Sequence, residues 1–187
     1  MITQTPWFER KFDFNFPVGL LPVILERLRG TVFRIEGMAK GKTEDELTQK
    51  VEGTWSAKEH VGHLYDLEQL WFGRIEDFLS GKQILRAADL NNTKTHEANH
   101  NRKDIEQLIA QFSTARNQLV GKVENMDETT AAVTALHPRL QTPMRLIDSL
   151  FFVAEHDDHH LAKMRELFQT VQPKLHDRAN ALGRKEI

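Results

Sequence analysis

Leu146-Ile-Asp-Ser-Leu-Phe-Phe-Val-Ala-Glu-His-Asp-Asp-His-His-Leu-Ala-Lys-Met-Arg-Glu-Leu167 carries one apolar stripe through Leu146, Leu150, Val153, Met164 and Leu167, with His156 and His160 set into it. Residues four apart stack on one face of a helix, so the stripe and both imidazoles should face inward together. An inward histidine pair among apolar neighbours needs polar partners or a metal. The helical period holds over the whole stretch, which decides for a helix rather than a strand. Thr142 suits the cap of this helix and Pro143 its first residue, while Val171-Gln-Pro173 suits its end. A polar, charged and frayed tail is then expected over 171–187.

Three more long helices follow from the same periodicity. The first is expected from Pro17 to Gly37, opened by Asn15 and Pro17, with Leu20, Leu21, Ile24, Leu28, Val32 and Ile35 inward. The second starts at Ser56-Ala-Lys-Glu59, which fits a capping box, and ends at Ser80-Gly81; Val61, Leu64, Leu67, Trp71, Ile75 and Phe78 form its stripe. The third is expected from Asn101 to Asn125 on Ile105, Leu108, Phe112, Leu119 and Val123. Residues 43–51 and 127–133 suit short helices, the segment around Asp89-Leu-Asn-Asn92 a long loop, and Leu136-His-Pro-Arg-Leu-Gln-Thr-Pro143 another loop. Residues 1–16 read as an extended arm anchored on the bundle surface by Trp7, Phe8, Phe12, Phe14 and Phe16. The expected fold is therefore all-α, a four-helix bundle with short connecting helices. It forms one domain over 1–187 with its core at about 17–170.

Composition narrows the function. The formal net charge of −2 gives no electrostatic case for nucleic acid or an anionic membrane surface. With no cysteine in the chain, any metal must be held by histidine nitrogen or carboxylate oxygen. No stretch approaches the roughly 18 apolar residues of a spanning helix, and the N-terminus lacks the basic start and apolar run of a signal peptide. A cytoplasmic protein is the resulting expectation. The chain has no Gly-rich phosphate loop, Gly-x-Ser-x-Gly elbow or His-Glu-x-x-His run.

The histidines cluster on two helices: His60 and His63 on the second, His156, His159 and His160 on the fourth. Three neutral imidazoles around one divalent ion would leave a position open for water or substrate, as catalytic zinc sites do; nickel and iron also suit such a set. The other reading of His156 and His160 is a buried pair bonded to backbone or carboxylate. On the second helix the residues leave His60 and His63 equally able to reach inward. Asp66 and Glu59 lie one turn either side of His63, where a carboxylate could orient an imidazole or assist a proton transfer. His159 suits an exposed or supporting role, His96 and His100 surface exposure, and His137 the shaping of its loop.

Thr54-Trp-Ser-Ala-Lys-Glu-His-Val-Gly-His-Leu-Tyr-Asp-Leu-Glu68 and Arg74-Ile-Glu-Asp-Phe-Leu-Ser-Gly81 resemble the second helix of the DinB-like superfamily. Asp89-Leu-Asn-Asn92, Ile105-Glu-Gln-Leu108 and Phe112 resemble its middle portion. His137-Pro-Arg139 with Ala154-Glu-His-Asp-Asp-His-His-Leu-Ala-Lys-Met164 resembles its loop and final helix, so the likeness spans about 17–170. The resemblance implies a bundle holding one divalent metal, commonly zinc or nickel, by three histidines, which fall on His63, His156 and His160. It thereby prefers His63 to His60. Relatives often carry a glycine after His137-Pro138, where this chain has Leu140-Gln141.

Similar family members include S-transferases and isomerases that use low-molecular-weight thiols such as bacillithiol or mycothiol; others are described as metal-dependent hydrolases. The resemblance thus implies a metal-dependent thiol S-transferase acting on a small-molecule substrate; Asp66, by its place one turn from His63, is the candidate catalytic residue for proton transfer. The alternatives are a metal-dependent hydrolase and a non-catalytic stress-response protein with a structural metal. A homodimer is expected by the same analogy.

Overall fold

The computed structural model describes residues 2–51 and 53–183, with side chains as far as Thr170. In chain order the helices are α1 (Leu21–Ala39), α2 (Glu44–Thr48), α3 (Ala57–Leu79), α4 (Thr93–Glu97), α5 (Ile105–Val123), α6 (Glu128–Ala131) and α7 (Leu146–Gly183). A hairpin of β1 (Thr134–His137) and β2 (Thr142–Arg145) precedes α7, and short 3-10 turns lie at Trp7–Glu9, Val18–Leu20 and His100–Arg102. The four long helices form a ring in which α3 packs on α5, α5 on α1, α1 on α7 and α7 on α3. This is the four-helix bundle the periodicity predicts.

Caps explain where the helices begin. Ser56 and Glu59 close the expected box: Ser56 Oγ accepts from the Glu59 amide at 3.2 Å and Glu59 Oε2 from the Ser56 amide at 2.9 Å. Thr43 and Glu46 make a second box at the start of α2, and Asp127 caps α6. The third long helix starts later than expected, because Asp104 Oδ1 caps the Gln107 amide at 2.9 Å while Asn101 lies in the preceding 3-10 turn. Leu20 likewise belongs to a 3-10 turn ahead of α1 and is exposed rather than inward. The expected loop at 89–92 leads directly into α4.

Three further expectations are corrected. Thr142 and Pro143 lie in β2, not at the head of α7, whose first amide, at Leu146, is taken by the Val133 carbonyl at 2.9 Å. The hairpin pairs Thr134 with Arg145 and His137 with Thr142. Proline is tolerated because Leu136, opposite Pro143, bonds instead to Gln83 and Leu85 on its other side. Gln141 closes the turn at φ 52°, a left-handed position that glycine adopts without strain. At its far end α7 runs through Pro173 to Gly183. Proline removes a single helix bond, and Leu175, Arg178, Ala179, Ala181 and Leu182 beyond it are good helix formers. Residues 184–187 of the expected tail lie outside the described residues.

The apolar core falls into two blocks. One gathers Leu28, Trp71, Leu119, Leu150 and their neighbours, the other Val32, Leu64, Phe112, Met164 and theirs. Between them lies a polar layer with one residue from each long helix. Arg116 of α5 is fully buried and bonds Glu68 of α3 (Nη2 to Oε1, 2.6 Å) and Asp157 of α7. Thr31 of α1 donates to Asp157 Oδ2 at 2.8 Å, and Arg116 also reaches the Leu28 carbonyl at 3.2 Å. The histidine cluster of α3 and α7 adjoins this layer, with His156 directly preceding Asp157.

Candidate metal centre

His63 of α3 and His156 and His160 of α7 are buried, and one ring nitrogen from each lies within 4.8 Å of the others. The helical period delivers His156 and His160 to one face, where their Nε2 atoms are 3.2 Å apart. Packing of α3 against α7 brings in His63, whose ring centre is 4.8 Å from that of His160 and 5.3 Å from that of His156.

Hydrogen bonds fix which nitrogen of His63 is free. Thr95 of α4 donates its hydroxyl to Asp66 Oδ2 at 3.0 Å, so Thr95 Oγ1 accepts from His63 Nδ1 at 3.1 Å. His63 Nε2 is thereby left as the lone-pair nitrogen. Asp66 also accepts from His100 Nε2 at 2.8 Å, and Lys94 approaches it at 3.8 Å. Asp66 therefore reaches His63 through Thr95 rather than facing the pocket. Glu59 is occupied by the α3 cap and by Lys50.

Burial keeps the imidazoles neutral. It depresses His63 to about 4, against the pull of Asp66. His156 and His160 are held well below the ordinary histidine range, first by burial and then by the other histidines. Neutral imidazole is the ligand form, and the buried Nδ1 of His156 has no hydrogen-bond partner. Three neutral, convergent nitrogens with no carboxylate among them are a donor set that fits zinc, nickel or a similar divalent ion.

His60 stands outside the trio. Its Nδ1 meets His160 Nδ1 at 2.9 Å, and burial lowers it to about 3. His100, expected on the surface, is buried because Gly62 lets it lie flush on α3; a Cβ there would collide with its ring. His159 is buried against Trp7 rather than exposed. His137 shapes its loop as expected, with Nδ1 3.3 Å from the Arg139 amide, but is also buried against Arg74.

The trio opens on a pocket of about 370 Å³. All three tryptophans of the chain line it. Trp55 lies 4.6 Å from His63 between ring centres, Trp7 4.9 Å from His156, and Trp71 5.7 Å from His156. Phe152, Arg74, His137 and Arg139 complete the wall farther from the trio. The N-terminal arm packs on the bundle through Trp7, Phe12, Phe14 and Phe16 as expected, whereas Phe8, the fifth expected anchor, is exposed. The arm's contribution to the pocket had no signal in the sequence. Arg74 and Arg116 did leave one: each is a cation placed on the side of a helix that also carries its apolar stripe.

The structure is similar to that of YfiT from Bacillus subtilis, described as a probable metal-dependent hydrolase with an unusual four-helix bundle topology. The TM-score is 0.76 at 17% identity, over 88% of this chain and 94% of that one, a likeness of fold. No curated protein sequence matches the chain. A family model of the DinB superfamily matches residues 26–164, most of the chain. On that match, and on the bundle the helices build, the chain belongs to the DinB superfamily.

Proposed function

We propose that this protein is a metal-dependent enzyme that transfers a low-molecular-weight thiol to a small electrophilic substrate. His63, His156 and His160 would hold one divalent ion, zinc or nickel. When bound, such an ion supplies Lewis acidity that stabilises the deprotonated form of a thiol or a water. The observation that carries the reading is the position of the trio: three protein ligands at the wall of an open pocket, where a structural site would be closed by four. Asp66 and Thr95 orient His63, and His60 orients His160. Trp7, Trp55 and Trp71 limit water around the rings and so strengthen electrostatic effects there.

Transfer is favoured over hydrolysis by the carboxylates. Among the described residues the one acid lining the pocket is Asp89, whose oxygens are taken by the Asn91 and Thr93 amides at 2.9 and 2.7 Å. A thiol, with an ordinary pKa near 8.5, needs less help to ionise than water, whose pKa lies far higher. A hydrolytic reading is supported by His159, which lines the pocket with a neutral ring and an Nδ1 that has no partner, and could accept a proton from water.

The test is metal analysis of protein purified without a histidine tag, followed by turnover. Metal-dependent conjugation of a thiol to a chlorinated aromatic acceptor supports transfer. Metal-dependent ester or amide cleavage without thiol supports hydrolysis. His156→Ala is expected to lose most of the bound metal; full retention would overturn the assignment of the trio.

A further inference from the structure

Arg74 and Arg139 reach the pocket from the wall beyond Trp71, and neither meets a carboxylate among the described residues. Arg74 is only 2% exposed. Its Nε donates to the Arg86 carbonyl at 3.1 Å and its Nη1 to His137 Nε2 at 3.0 Å. The carboxylate one turn on, Asp77, is engaged instead by Arg86, at 2.9 Å from both Nε and Nη2. The Arg139 guanidinium lies 5.2 Å from the Phe8 ring centre and 5.8 Å from that of Phe152. It makes no hydrogen bond among the described residues, and its Nη2 is shut off from solvent. Two guanidiniums on one pocket wall, one bonded to His137 and the other lying two residues beyond it in the chain, both packed against aromatic rings and left without a counter-charge, are costly unless a ligand supplies the anion.

We propose that Arg74 and Arg139 form an anion subsite that seats the carboxylate of a small organic acid. The body of the acid lies along Trp71 and Phe152, and its other end reaches the histidine trio. Planar guanidinium forks match a carboxylate in two-point geometry. Trp71 sets the span: its ring centre is 5.3 Å from Arg74 Cζ and 5.7 Å from the His156 ring. The substrate class is thus an acid with an apolar body. Only the choice of reacting end rests on the trio being the reaction centre; the anion subsite needs no metal.

The test is calorimetric titration of the full chain with 4-phenylbutyrate and its neutral analogue 4-phenylbutyramide, once with chelator and once with zinc. The carboxylate is expected to bind about tenfold tighter than the amide in both conditions. In Arg139→Gln, a change in a partly exposed loop, the preference should fall to within about twofold. Arg74→Lys, which keeps the charge and loses the fork, should weaken it partly. Equal affinity for the two probes, no measurable binding of the carboxylate, a preference seen only with zinc, or one that survives both substitutions would overturn the proposal. A protein that binds no zinc yet keeps the preference supports the subsite and removes the trio from the chemistry.

Discussion

Thr95 is the side chain on which the setting of His63 depends. Its hydroxyl has one proton, given to Asp66, so it can only accept from His63, and the free lone pair is sent to Nε2. Thr95→Val keeps the shape and removes the relay. Zinc affinity is expected to drop about 10- to 100-fold, read by competition with a chromophoric chelator; unchanged affinity would show that Asp66 has no hold on the ligand. His137 offers a test through pH. Burial first, then Arg74 and Arg139, depress it to about 3 from an ordinary 6.5. In that window the unfolded chain binds the proton and the folded one does not, so stability falls as pH falls from 6.5 toward 3. His137→Gln cannot take up that proton. Its unfolding free energy, measured in urea, should decline less steeply over the same range than that of the wild type.

At the scale of elements, one guanidinium joins the whole ring. Arg116 projects from α5 to Glu68 on α3, Asp157 on α7 and the Leu28 carbonyl on α1. Burial raises Glu68 above the usual carboxylate range against the pull of Arg116, and Glu68 Oε2 has no partner, so the cluster is a costly one. Arg116→Met would leave two carboxylates buried without a cation, and a loss of about 3–5 kcal/mol in chemical denaturation is expected. Replacing Glu68 and Asp157 by leucine in the same chain should recover most of it, because the charges then go together. A triple variant no more stable than Arg116→Met would mean the cluster contributes net stability. Asp157 adjoins His156, so the cluster also sets the rotation of α7 that turns its histidines toward α3.

For the molecule as a whole, an ion held by His63 of α3 and His156 and His160 of α7 would clamp those two helices together. Binding to the folded state alone stabilises by about 2.7 kcal/mol when free metal is a hundred times its dissociation constant. Chelation is therefore expected to lower the melting temperature by several degrees, with zinc restoring it. Identical melting curves with and without chelator would count against a bound ion. The same experiment on His156→Ala should show no response to chelator.

The helices, the Ser56–Glu59 box and the shared face of His156 and His160 were legible in the sequence, because each depends on residues within a turn of one another. The hairpin was not: Thr142-Pro143 is also a good helix start, and only the bonds of Leu136 to Gln83 and Leu85 make an edge strand with proline acceptable. His60 and His63 are both buried, and only the packing of α3 on α7 turns one toward His160 Nδ1 and the other toward the open side of the trio. Residue-level reading placed His100 outside, since nothing in a local window shows that Gly62 leaves space for its ring. The Arg139 side chain, too, joins the pocket wall through packing that no local window shows. Short-range order follows from backbone geometry and side-chain period, which the chain encodes directly. Which charges and rings meet across the bundle follows from long-range packing, so tertiary structure alone decided the polar layer and the shape of the pocket.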